Sequence, residues 1–109
     1  MTQALAEQLR RLAETIAARA DADPASSYTA KLLSEGPARA AKKLGEEAVE
    51  LAIAAAQGDR VAVASESADL LYHWLALLQA CGVSPDEVAE ALAAREGRSG
   101  LEEKASRQP

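Results

Sequence analysis

Apolar positions recur at helical spacing in five stretches of the chain, and the breaks between them carry residues that end and start helices. Leu5, Leu9, Leu12 and Ile16 fall at i, i+4, i+7 and i+11, one face of a helix, while Arg10, Arg11, Glu14 and Arg19 lie mostly elsewhere. This first helix is expected to stop near Asp21-Ala22-Asp23-Pro24, because proline disfavours helical geometry in the residue before it. Ser26 or Ser27 can then cap a short second helix carrying Tyr28, Leu32 and Leu33. Gly36 closes it, and Pro37 suits a first helical position. The third helix is predicted from about 37 to 56, ending at Gln57-Gly58. Asp59 can cap a fourth, from about 60 to 80, ending at Cys81-Gly82. Ser84-Pro85-Asp86-Glu87 reads as a capping box, with serine at N-cap and glutamate at N3. The fifth helix carries Val88, Leu92 and Ala93 and is expected to end near Gly97. Residues 1–97 therefore read as one all-α domain, and 98–109 as a polar tail, mobile when nothing is bound.

Composition supports helices over sheets. The chain is 49% hydrophobic, yet aromatics make up only 3% and phenylalanine is absent. Alanine and leucine dominate, and both are strong helix formers, whereas sheets favour β-branched and aromatic side chains. Helix four is apolar on nearly every side from Leu70 to Leu78, and helix three, with Val49, Leu51 and Ile53, is similar. A helix apolar all round must be covered all round. So small a chain is short of elements to do that, which points to a homo-oligomer, a dimer in the simplest case. The competing reading is a tightly wrapped monomer.

A formal net charge of -5 argues against nucleic-acid binding through a broad basic surface. One cysteine, Cys81, excludes an internal disulfide and a cysteine-based zinc site; it reads as a packing residue at a helix end. The opening residues MTQALAEQLRRL lack the apolar core of a secretory signal. No apolar run reaches the ~18 residues that a membrane span needs. A cytoplasmic protein with no membrane partner is the resulting expectation.

The chemistry concentrates in two sets of carboxylates on the two most apolar helices. At about 100° per residue, Glu46, Glu47 and Glu50 share a sector of helix three. On helix four, Glu66 and Asp69 are three residues apart, and His73 follows four later on the same face. Like charges so spaced repel each other, and beside an apolar surface they also lose hydration. Magnesium commonly compensates oxygen clusters without histidine or cysteine. A solvated face, salt-bridged to Arg39, Lys42 or Lys43, is the ordinary reading of Glu46, Glu47 and Glu50 alone. Glu66 and Asp69, beside the most apolar segment, tip the balance towards metal. His73 reads as a hydrogen-bonded core residue whose register with Asp69 orients one of the two. Arg39 and Lys43 project onto the glutamate sector, where they can meet a phosphate chain; a Lys43–Glu47 pair is the alternative. With no P-loop and no serine or cysteine nucleophile beside a base, metal-assisted attack by water remains.

At these residues the chain resembles the phosphoribosyl-ATP pyrophosphatases of histidine biosynthesis, a branch of the MazG-like all-α nucleotide pyrophosphohydrolases that also include dimeric dUTPases. The likeness covers Ser27-Tyr28-Thr29-Ala30-Lys31-Leu32-Leu33, the stretch from Lys42 to Glu50, the stretch from Glu66 to His73, and the closing residues 100–107. The paired carboxylate motifs belong to the wider superfamily; the flanking segments are specific to the narrower branch. The resemblance implies a MazG-like helical bundle whose core a second copy completes. It implies hydrolysis of phosphoribosyl-ATP to phosphoribosyl-AMP and pyrophosphate. Glu46, Glu47, Glu50, Glu66 and Asp69 would hold Mg²⁺, and one of the glutamates would activate water. Lys43, Lys31 and Arg19 would contact phosphate, and Ser27, Tyr28 and Thr29 the nucleotide or ribose end. Lys104 and Arg107 would close over the substrate. The alternatives are a broader NTP or dUTP pyrophosphatase and, in another class, a non-catalytic helical interaction module.

Overall fold

The computed structural model describes residues 2–97, together with Gly100 and Lys104. It contains α1 (Thr2–Arg19), α2 (Tyr28–Ser34), α3 (Pro37–Ala56), α4 (Arg60–Cys81) and α5 (Pro85–Ala94), with no strand among the described residues. The expected tail otherwise lies outside the described residues, Arg107 included.

The helix ends follow local capping chemistry. Ser27 is the N-cap of α2, its hydroxyl accepting from the Ala30 amide at 3.2 Å. Asp59 does the same for α4 through the Ala62 amide at 3.0 Å. Ser84 and Glu87 form the capping box reciprocally at the start of α5, with contacts of 3.2 and 2.8 Å. Each side chain satisfies an amide that the first helical turn leaves without an intrahelical partner. Gly36 (φ 89°) precedes Pro37, and Gly82 (φ 71°) ends α4 in the left-handed region that glycine occupies without steric cost. Two details depart from expectation. Helix α5 ends at Ala94, with Arg95 as C-cap, before Gly97. Cys81 is exposed and does not pack, because it lies in the last turn of α4 where the chain leaves the core.

Helices α3 and α4, joined only by residues 57–59, fold back on each other as an αα-hairpin and make the most extensive packing in the molecule. Helices α1 and α2 lie against the same α4. The buried core is built from Ile16, Ala30, Leu32, Ala40, Ala54, Leu75 and Ala76. Ala40 and Ala76 have no exposed surface at all, and their small side chains let neighbouring elements approach closely. The chain covers its apolar surface incompletely: Val49 and Ile53 on α3 remain 59% and 52% exposed, and no residue of α5 is buried. An apolar hollow of about 390 Å³ lies between α1 and α4, lined by Leu5, Leu9, Leu12 and Leu71 among others. A second, of about 460 Å³, is bounded by Leu44, Ala48, Leu70, Leu71 and Trp74. The radius of gyration, 15.8 Å, exceeds the ~13 Å of a compact chain this long.

Candidate functional site

The α3–α4 hairpin sets which acidic residues meet. In an antiparallel pair, residues equally far from the turn come level with each other. Glu47 and Asp69 are equidistant in sequence from Gly58, and so are Glu50 and Glu66. Glu47, Glu66 and Asp69 each offer a carboxylate oxygen, and these oxygens all lie within 4.8 Å of one another. Oε2 of Glu47 and Oε2 of Glu66 are closed off from solvent and have no hydrogen-bond partner among the described residues. The Glu47 carboxyl is pushed up to about 7, first by burial and then by contact with Glu50 and the charges of Glu50, Asp69 and Glu66. Glu66 is raised too, again by burial first, with Glu50 and Asp69 as the chief charges. Glu50 thus borders both.

Buried carboxylate oxygens without donors are costly, and a proton shared in the cluster relieves only part of the repulsion. The donor set is all oxygen, hard and anionic, with no imidazole or thiolate, which is the chemistry of a hard divalent cation and not of zinc. The residues present therefore fit a metal ion.

Other expected site residues fall around this centre in different ways. Glu46 is not one of the three; it points outward and its Oε1 lies 3.6 Å from Lys43 Nζ. The alternative pair of Lys43 with Glu47 does not form, because Glu47 turns into the hairpin. Arg39 approaches Glu35 at 3.7 Å. Lys31 and Arg19 are exposed, and Arg19 is near enough to Tyr72 to act on its phenol. Ser27 is committed to its cap, and Thr29 is buried with Oγ1 2.5 Å from the Tyr72 hydroxyl. Burial pushes the Tyr72 phenol above its ordinary value, while Thr29 opposes the shift. Lys104 is exposed.

His73 is buried, and its hydrogen bond goes to Asp69 by a route that register alone did not specify. Nδ1 lies 2.9 Å from the backbone carbonyl of Asp69, not its carboxylate. The ring folds back along its own helix, where the i−4 carbonyl is the acceptor within reach, and the carboxylate faces α3. A carbonyl only accepts, so Nδ1 carries a proton, and Nε2 lies 3.3 Å from the Tyr28 hydroxyl. The link from α2 through His73 to the Asp69 turn has no signature in the one-dimensional pattern; only the packing of α2 on α4 creates it.

Fold and centre together define a class: an all-α protein whose two longest helices carry a cation-type carboxylate site between them. The family profile described as PRA-PH, Phosphoribosyl-ATP pyrophosphohydrolase, matches residues 9–96, which include Glu47, Glu66, Asp69 and the neighbouring Glu50. The phosphoribosyl-ATP pyrophosphatase of Caulobacter vibrioides (strain NA1000 / CB15N) is 65% identical over 107 residues, spanning 98% of this chain and 99% of that protein. Those of Parvibaculum lavamentivorans and Methylobacterium radiotolerans are 62% and 60% identical, each covering at least 93% of both chains. The chain belongs to the phosphoribosyl-ATP pyrophosphohydrolase family.

Proposed function

We propose that this protein hydrolyses phosphoribosyl-ATP to phosphoribosyl-AMP and pyrophosphate in histidine biosynthesis, using Mg²⁺ held by Glu47, Glu66 and Asp69. The observation that carries the reading is the pair of buried oxygens of Glu47 and Glu66, without a hydrogen-bond partner among the described residues, in one acidic cluster with Asp69. Membership of the family supplies the substrate. Bound there, Mg²⁺ would orient the phosphate oxygens, offset their charge and acidify a bound water.

The chain's own residues supply the rest. The water oxygen bonds to one phosphorus of the α–β phosphoanhydride as the bond from that phosphorus to the bridging oxygen breaks, pyrophosphate and phosphoribosyl-AMP separate, and one water proton passes to a carboxylate. Glu50 borders Glu47 and Glu66 without being one of the three and takes that proton. The Lys43–Glu46 pair is partly exposed and loose, so Lys43 turns to a substrate phosphate and Glu46 becomes available to the cation. Arg19 and Lys31, both exposed, meet the phosphates further out. The exposed Tyr28 contacts the nucleotide, while Ser27 and Thr29 hold its backbone in place. Lys104 and Arg107 close over the bound substrate.

The working unit is a homodimer in the cytoplasm. Support for the dimer comes from the exposed Val49 and Ile53, the two apolar hollows and the open shape. Product analysis with phosphoribosyl-ATP beside a panel of ordinary nucleoside triphosphates, dUTP included, tests the reaction. Release of pyrophosphate from phosphoribosyl-ATP alone, abolished by EDTA and restored by Mg²⁺, is the expected result. Preference for the ordinary nucleotides would overturn the substrate, and inertness towards all of them would overturn the enzyme.

A further inference from the structure

The first turn of α2 is bolted to α4 twice in succession. Thr29 meets Tyr72 at 2.5 Å, and Tyr28 meets His73 at 3.3 Å. The second of these is unusual in what it leaves open. Tyr28 is 53% exposed, and an aromatic side chain so exposed normally wanders among rotamers. Here its hydroxyl is anchored to a buried imidazole, and its ring lies 6.3 Å from Tyr72 and 6.2 Å from His73, centroid to centroid. His73 in turn stands edge-on to Tyr72 at 4.9 Å and is fixed by Asp69, so it has little freedom of its own. The anchor ends at the backbone of Asp69, whose side chain belongs to the carboxylate cluster. Asp69 and His73 are four residues apart on α4, about one helical turn.

We infer that His73 is a positioning residue for nucleotide binding: it ties Tyr28 to the Asp69 turn, so that the open tyrosine face forms a stacking wall for the base of a nucleotide whose phosphates lie at the carboxylates. The inference rests on the reading that this centre handles a nucleotide. Burial of Leu32 and Ala30 already holds α2 in the bundle. Pinning an exposed ring by its polar tip orders the surface it presents, and prior ordering removes an entropic cost of binding. Aromatic stacking suits any base, because every base has a π-face.

Calorimetric titration with two probes in Mg²⁺, α,β-methylene-ATP and pyrophosphate, separates the base end from the phosphate end. Tyr28→Ala is expected to weaken the nucleotide analogue about tenfold, within the range of base–aromatic stacking, and to leave pyrophosphate unchanged. Tyr28→Phe removes only the anchor point. His73→Asn keeps a donor for the Asp69 carbonyl while losing the nitrogen that meets Tyr28, which protects the fold. Each of these two is expected to weaken the analogue by about threefold, and the double variant no more than either, as for residues acting through one contact. In turnover the same variants raise KM and spare kcat. Additive losses, equal weakening of both probes, or analogue binding unchanged in Tyr28→Ala would overturn the inference. A wild type that binds the analogue normally but leaves phosphoribosyl-ATP intact defeats the proposed function alone, since the probe pattern still judges His73.

Discussion

Glu47 on α3 and Asp69 on α4 face each other across the hairpin, with carboxylate oxygens within 4.8 Å and Glu66 completing the group. Three acidic groups gathered between apolar helices are a poor arrangement for stability and a good one for holding a cation. Removing one of their charges is expected to affect function and fold in opposite directions.

Glu47→Gln and Asp69→Asn should each lower turnover by about 10²-fold or more, on the scale of losing a preorganised charge at a reacting centre. Neither should lower the melting temperature in EDTA, because the neutral amide relieves repulsion in the cluster. Steady-state kinetics and thermal melts of the same preparations check both halves. Turnover near wild type in either variant would remove these carboxylates from the chemistry.

Protonation supplies a second check with a definite sign. The folded-state value for Glu47, about 7, lies above its ordinary 4.5. A group raised on folding contributes stability fully below its unfolded value, and that contribution is lost as pH rises through the folded value. In EDTA, Glu47→Gln should therefore match wild type near pH 4.5 and gain on it progressively, reaching its full advantage by about pH 8. Saturating Mg²⁺ should reverse the order at about pH 8, since the ion stabilises the folded form that binds it. Melting curves across pH, with and without Mg²⁺, record the crossing.

The core offers a mechanical test. Ile16 is 2% exposed and among the largest fully buried side chains, at the point where α1 meets the rest of the molecule. Ile16→Ala is expected to cost about 2–5 kcal/mol, the usual range for truncating a buried aliphatic residue. Urea unfolding at fixed protein concentration measures it.

The capping box at Ser84 predicts a smaller and more local effect. Ser84→Ala removes the acceptor for the Glu87 amide and should cost about 1 kcal/mol. No residue of α5 is buried, so the loss should show as faster amide exchange over 85–94 while α3 and α4 keep their protection.

Self-association is accessible through α3. Val49 and Ile53, one turn apart, leave most of their surface in water. Sedimentation of wild type should give a dimer at micromolar concentration, and Ile53→Asp should shift it to monomer. A wild type that sediments as a stable monomer would refute the dimer.

What could be read from the one-dimensional pattern was whatever is settled within about four residues. Asp59 and Ser84 cap, Gly82 turns, Pro37 and Pro85 start helices, and Ser26 or Ser27 marks the start of α2, a choice the structure makes for Ser27; each acts in its own turn, so the five helices were legible from residue types alone. The carboxylate-bearing helices and the family likeness were legible for the same reason: motifs are local strings. Partnership between helices is not local. Glu46, Glu47 and Glu50 are near-equivalent on a helical projection, and only the rotation of α3 against α4 turns Glu47 inward and leaves Glu46 with Lys43. The equal distances of Glu47 and Asp69 from Gly58 were a usable signal, but only once the hairpin was assumed. His73 shows the same limit, because its register with Asp69 is sequential information, whereas the choice of backbone carbonyl over carboxylate, and the reach to Tyr28, depend on how α2 packs. Local hydrogen bonding determined the elements; packing of apolar faces decided which charges share a site.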